Sequence, residues 1–202
     1  MGCILSAASC NKWFCDGVLE TEDYADEQEK IPEDLPGNNN VYFLPYLMGE
    51  RSPINDTNAT GMFIGLRPDT KRTHMLLAIL EGVCFAIRDN VEIAKKLGIV
   101  IKKSTVSGGG AKSRLWMKIL ASVLGIELII PKAQEGPGYG AAKLALVASG
   151  ECSDIRMCAT VEIKEIIKPD EALAAAYEKK YCIFRKLYPG VKDLYRQIKE
   201  EE

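Results

Sequence analysis

Ser104-Thr105-Val106-Ser107-Gly108-Gly109-Gly110-Ala111-Lys112-Ser113 is the stretch on which the reading of this chain turns. A short run of β-type residues enters three glycines, and from Ala111 to Leu124 the apolar positions recur at helical spacing. The pattern then repeats, with a second strand expected at Glu127 to Ile130. A second glycine turn follows, Gly136-Pro137-Gly138-Tyr139-Gly140, and then a small-residue helix from Ala141 to Ser149. Strand, glycine turn and helix in succession bring backbone N–H groups and a positive helix end beside a phosphate or nucleotide. The stretch therefore implies an α/β domain that binds a nucleotide.

The first turn matches neither common phosphate loop. Ser113 stands where the dinucleotide fingerprint requires its third glycine, which argues against a dehydrogenase, and no Gly-Lys-Ser/Thr follows at P-loop spacing. Three residues without Cβ atoms would let a flat ring or a sugar rest directly on the backbone. Ser113 can cap the following helix or contact a ligand edge. A plain strand-to-helix turn is the bland alternative. In the second turn, small residues would let the helix press closely on a neighbour, and Glu135 is a candidate general base.

At 202 residues the chain is long enough for one sizeable core and too short for two full α/β domains, so residues 1–202 are read as a single domain. A net charge of −2 offers no electrostatic reason to expect nucleic acid or an anionic membrane. No apolar run approaches the ~20 residues of a membrane span. Seven cysteines at irregular spacing, with His74 the lone histidine, point to reduced thiols in a cytoplasmic protein and away from zinc.

Taken in order, Met1-Gly2-Cys3-Ile4-Leu5-Ser6 matches an acylation pattern, but its apolar run continues into a strand end and then a helix closed by Trp13 and Phe14. Thr21 is the expected N-cap of an acidic helix ending near Pro32. Residues 32–40 read as a surface loop, Val41 to Leu47 and Gly61 to Leu66 as extended segments, and Gly49 to Pro53 as a charged turn. Thr73 to Leu97 carries a wide apolar stripe with Gly98 as its stop and His74 as a solvated or capping residue in its first turn. Val161 to Ile167 alternates like an edge strand. The last helix starts at Pro169-Asp170-Glu171 and is expected to stop at Pro189-Gly190.

Several segments together resemble a known family. Phe43-Leu44-Pro45-Tyr46-Leu47-x-Gly49-Glu50-Arg51-x-Pro53, Gly61-x-Phe63-x-Gly65-Leu66 and Leu80-Glu81-Gly82-Val83-x-Phe85-Ala86-x-Arg88-Asp89 are similar to the C-terminal half of the FGGY carbohydrate kinases. Ser107-Gly108-Gly109-Gly110-Ala111-Lys112-Ser113-x-Leu115-Trp116 and Gly138-x-Gly140-Ala141-Ala142 continue the likeness. Gly-Glu-Arg-Ser-Pro and the tail from Tyr177 to Pro189 resemble the branch that acts on xylulose.

The resemblance implies an actin-like ATPase (ribonuclease H-like) architecture, a mixed sheet flanked by helices and lacking its first strands. ATP would lie mostly on this domain and the sugar on another. Gly108, Gly109, Gly110 and Ser113 correspond to the family's adenosine motif, and Ala8 and Lys12 to further nucleotide contacts, although Lys12 stands where many members have glutamine. ATP and Mg²⁺, the ion held through the phosphates, are the implied cofactors. The catalytic aspartate and the sugar site would lie before Met1, so the chain alone should be inactive. Rival readings are a glycerol, gluconate or ribulose kinase of the same family, and a non-catalytic interaction module on the same fold. A homodimer or self-association is also expected, since a sheet without its first strands exposes apolar surface.

Overall fold

The computed structural model describes residues 2–132, 136–158 and 162–201. Helix α3, Arg72–Lys96, is the element around which the others pack. Every residue from Leu76 to Ala86 is buried, so for about three turns the helix has no solvent face. Strand β1, Tyr42–Leu44, pairs antiparallel with β2, Met62–Ile64, and lies across α3. A Cβ at Gly82 would stand 2.3 Å from the Phe43 carbonyl oxygen, so only glycine allows that crossing. Helix α1, Ala7–Trp13, packs on α3 as well, and the rings of Trp13, Phe14, Phe43 and Phe63 meet there, Phe43 and Phe63 at 4.6 Å between centroids.

The second sheet holds the glycine turn. Its order is β3 (Lys103–Thr105), β4 (Glu127–Pro131), β5 (Ile163–Ile167), with β3 parallel and β5 antiparallel to β4. β5 is the expected edge strand, and Val161, where it was expected to begin, lies outside the described residues. Helix α4, Arg114–Leu124, joins β3 to β4 and packs against α3, strands β4 and β5 and the last helix. Gly125 at φ +66° closes it, its N–H donating to the Ala121 carbonyl at 2.8 Å.

Several expectations are corrected. The first helix does not close at Phe14, because a π-helical turn carries the coil on to Val18. No strand precedes it among the described residues. Residues 3 to 5 are instead tied to the Gly49–Pro53 turn, Ser52 N–H donating to the Cys3 carbonyl at 3.1 Å and Leu5 N–H to Glu50 Oε1 at 3.2 Å. In that charged turn Glu50 is buried and takes a further hydrogen bond from Arg51 N–H at 2.7 Å. Asp23, not Thr21, caps helix α2, Tyr24–Glu29, by accepting from Asp26 N–H at 3.0 Å. Thr21 Oγ1 accepts from Asp23 N–H one step earlier. Within residues 32–40, Asn39 is buried because its side chain donates to the His74 carbonyl at 2.9 Å. His74 caps α3, its Nδ1 accepting from Lys71 N–H at 3.1 Å.

Helix α5 runs Gly136–Ala148, so the second glycine turn is its first turn rather than a loop before it. Close packing does not explain its small residues, because a Cβ at Gly138 or Gly140 would meet nothing within 4 Å. Helix α6 runs Glu171–Glu200 and passes straight through Pro189-Gly190. Pro189 has no N–H and forfeits one helical bond, yet Tyr195 is buried beyond it and the Tyr188 hydroxyl donates to Asp56 at 2.7 Å beside it. Fully burying an aromatic side chain such as Tyr195 is worth about 1.5–3 kcal/mol, comparable with the ~3 kcal/mol cost of an interior proline, and the half-buried Tyr188 adds its hydrogen bond to Asp56. Cysteines 152 and 158 form a disulfide, Cα atoms 5.9 Å apart, where reduced thiols were expected; the spacing brings both ends of one short loop together. Cys3, Cys10, Cys15, Cys84 and Cys182 are free.

Candidate nucleotide site

Strand β3 delivers the chain to Gly108, whose φ of +98° and extended ψ only glycine adopts without strain. Gly109 to Lys112 make a single 3₁₀ turn, Ala111 N–H donating to the Gly108 carbonyl at 3.1 Å and Ser113 N–H to the Gly110 carbonyl at 3.2 Å. The helix expected from Ala111 therefore begins only at Arg114. Ser113 holds an extended backbone, φ −84° and ψ 111°, and its Oγ accepts from Trp116 N–H at 3.1 Å, a serine N-cap.

Below the turn the packing is firm. A Cβ at Gly110 would come within 3.2 Å of the Trp116 ring, and the Trp116 indole N–H donates to the Leu80 carbonyl of α3 at 3.0 Å. Above it there is nothing among the described residues. A Cβ at Gly108 or Gly109 would meet no atom within 4 Å. The backbone there forms an exposed, side-chain-free ledge braced from one side by a tryptophan.

The second glycine turn reaches the same place. A Cβ at Gly136, the first residue of α5, would lie 3.3 Å from Ser107 Oγ, so the start of that helix stands beside the residue preceding Gly108. Glu135, the candidate base, lies outside the described residues.

Helix α1 is joined to the turn through a residue that reading the sequence missed. The Ser113 hydroxyl donates to Gln28 Oε1, and Gln28 Nε2 donates to Asn11 Oδ1 at 3.5 Å. Asn11 and Gln28 are both buried, so this polar chain from α1 through α2 to the cap of α4 lies within the protein. Gln28 is the one uncharged side chain in Asp26-Glu27-Gln28-Glu29, the only trace of its role in the sequence. Ala8 and Lys12 stand a helical turn apart on α1, both exposed. Lys12 is engaged by a neighbour. Its ammonium lies 2.5 Å from Asp16 Oδ2, and Asp16 also accepts the Tyr24 hydroxyl at 2.7 Å. The hydrogen bond to Asp16 pushes the Lys12 ammonium above its ordinary range and holds the Asp16 carboxyl below its own.

Residues 1–149 match the family model described as the FGGY family of carbohydrate kinases, C-terminal domain. The chain belongs to that family. It is 30% identical to a xylulose kinase of Staphylococcus epidermidis over 96% of its own length and 40% of the relative's. It is 34% identical to a glycerol kinase of Saccharolobus islandicus over 97% of its length and 38% of that protein's. The crystal structure of a xyloylose kinase from Brucella ovis superimposes with a TM-score of 0.87 at 36% identity, covering 96% of this chain and 40% of that one. The fold is thus the actin-like ATPase fold of the FGGY kinases, in agreement with the motif resemblance. The chain spans about two fifths of the length of the relatives it matches, and the part it matches is the C-terminal domain. No helix among the described residues is long and apolar enough to cross a membrane.

Proposed function

We propose that residues 1–202 form one domain, the nucleotide-binding C-terminal domain of an ATP-dependent carbohydrate kinase, with Gly108, Gly109, Gly110 and Ser113 holding the adenosine and Ala8 and Lys12 beside them. The observation that carries this reading is the open ledge at Gly108 and Gly109, backed by Trp116 and adjoined by the start of α5. A purine can lie flat on such a surface, while the N–H groups at the first turn of α5 face the negative charge further along the nucleotide. In the whole enzyme the reaction is transfer of the ATP γ-phosphoryl to a sugar hydroxyl, with xylulose as the substrate, giving ADP and xylulose 5-phosphate. Support for xylulose comes from the Staphylococcus and Brucella relatives; the glycerol kinase at 34% identity marks the alternative. Mg²⁺ is assigned to the phosphates, as the family resemblance implies. We place the protein in the cytoplasm on the strength of the family.

Calorimetric titration of the 202-residue chain with ADP tests the reading. Weak, saturable binding is expected, lost at least about tenfold in Gly109→Leu, whose side chain would stand where the base lies. Unchanged ADP affinity in that variant would remove the ledge from the site, and no ADP binding by the parent chain would remove the reading.

A further inference from the structure

We propose that Gln28 fixes the Ser113 hydroxyl as a hydrogen-bond acceptor toward the ligand, so that the turn favours a purine with a 6-amino group over one with a 6-oxo group. The proposal rests on the nucleotide reading above and extends it to the choice of base. A serine hydroxyl carries one donor and two acceptor positions. In Ser113 the donor is spent on Gln28 Oε1, and one acceptor position takes Trp116 N–H at 3.1 Å. What remains is a single acceptor.

The hydroxyl cannot readily turn to present its proton elsewhere. Gln28 is held by its own donation to Asn11 Oδ1 at 3.5 Å, and both amides are buried, Asn11 at 7% and Gln28 at 9% exposure. If Ser113 turned its proton toward a ligand, Gln28 Oε1 would be left buried without a partner, which is the costly outcome for such a group. The backbone of Ser113 is fixed too, by its N–H to Gly110 and by its place as cap of α4. Adenine offers an N–H donor at its 6-position and a 6-oxo purine offers a lone pair. An acceptor-only Ser113 pairs with the first and opposes the second. Gln28 is a positioning residue: it acts on the base through Ser113.

The test compares ADP with IDP, which differ at the purine 6-position and in the proton that IDP carries on N1, by titration calorimetry on the full 202-residue chain and on Gln28→Leu and Gln28→Glu, with circular dichroism confirming that each variant is folded. The parent chain should prefer ADP by about tenfold, the worth of one neutral hydrogen bond made or opposed. Gln28→Leu should bring the ratio to about twofold or less, because the freed hydroxyl can donate to the 6-oxo group as well as accept. Gln28→Glu keeps an acceptor for the Ser113 proton and should restore the preference. ADP binding with the same ADP-to-IDP ratio in the parent and in Gln28→Leu would overturn the inference and leave the nucleotide reading standing. So would loss of the preference in Gln28→Glu. Absence of ADP binding by the parent would overturn both.

Discussion

Lys180 and Glu81 show how much a single residue can be asked to hold. The Lys180 ammonium lies 2.6 Å from Glu81 Oε2, with side-chain exposures of 7% and 2%, and also donates to the Asn39 carbonyl, while Gly37 N–H donates to the other Glu81 oxygen at 3.2 Å. Lys180→Met strands a buried carboxylate and should cost about 3–5 kcal/mol in urea unfolding. Pairing it with Glu81→Leu should recover much of that loss, and a double variant no more stable than the single one would refute the account. Asp89 behaves oppositely to most surface carboxylates. Burial pushes its carboxyl above the ordinary value of 3.8, against the lowering pull of the Tyr181 hydroxyl at 2.6 Å and of Arg185 and Arg88. The folded state thus holds this proton more tightly than the unfolded chain. Its contribution to stability is full below the unfolded value and is lost as the pH rises through the folded one. Asp89→Asn keeps an acceptor for Tyr181 with no charge to desolvate, so its urea midpoint relative to the parent should climb as the pH rises above the ordinary aspartate value. A difference that stays flat across that range would contradict the shift. At this scale the sequence was only half legible. Ser113 as a cap could be read from its place before Arg114-Leu115-Trp116, whereas its partner Gln28 is 85 residues away and no local pattern announces that bond.

Among the elements, periodicity served well where one side of a helix faces the core. α3 and α4 appear within a few residues of their expected limits, Gly98 at φ +80° and Gly125 at φ +66° sitting where stops were needed. It failed where distant packing overrides local preference. Pro189-Gly190 is a sound stop signal, yet α6 runs through it because Tyr188 is anchored against Tyr46 and Asp56 and Tyr195 is buried beyond it. The reverse holds for α5, which forms from a sequence rich in glycine and begins five residues earlier than its small-residue run suggested. Gly82, by contrast, gave no hint in the sequence that it was a crossing point. Gly82→Ala would drive a methyl group into the Phe43 carbonyl and should cost about 1–3 kcal/mol by thermal melting, and a neutral result would mean that β1 can lift off α3.

For the molecule as a whole, the apolar surface is unevenly covered. Leu97, Ile99 and Val100 before β3 are exposed at 73%, 54% and 76%, and Leu144 on α5 at 60%. All three residues of β3 are exposed, and among the described residues β3 pairs with β4 alone. A surface of this kind favours association, so sedimentation velocity should show the weight-average mass rising with concentration, and Val100→Glu with Leu144→Lys should suppress the rise. A single concentration-independent monomer would count against it. None of the residues of helix α5 is buried. A segment with so little to lose opens at low free energy, and its amides should exchange with deuterium sooner than those of α3 or α4. Occupancy of the ledge beside Ser107 would then slow that exchange, and the apparent Kd for a nucleotide would be raised in proportion to the share of molecules in which the helix is undone.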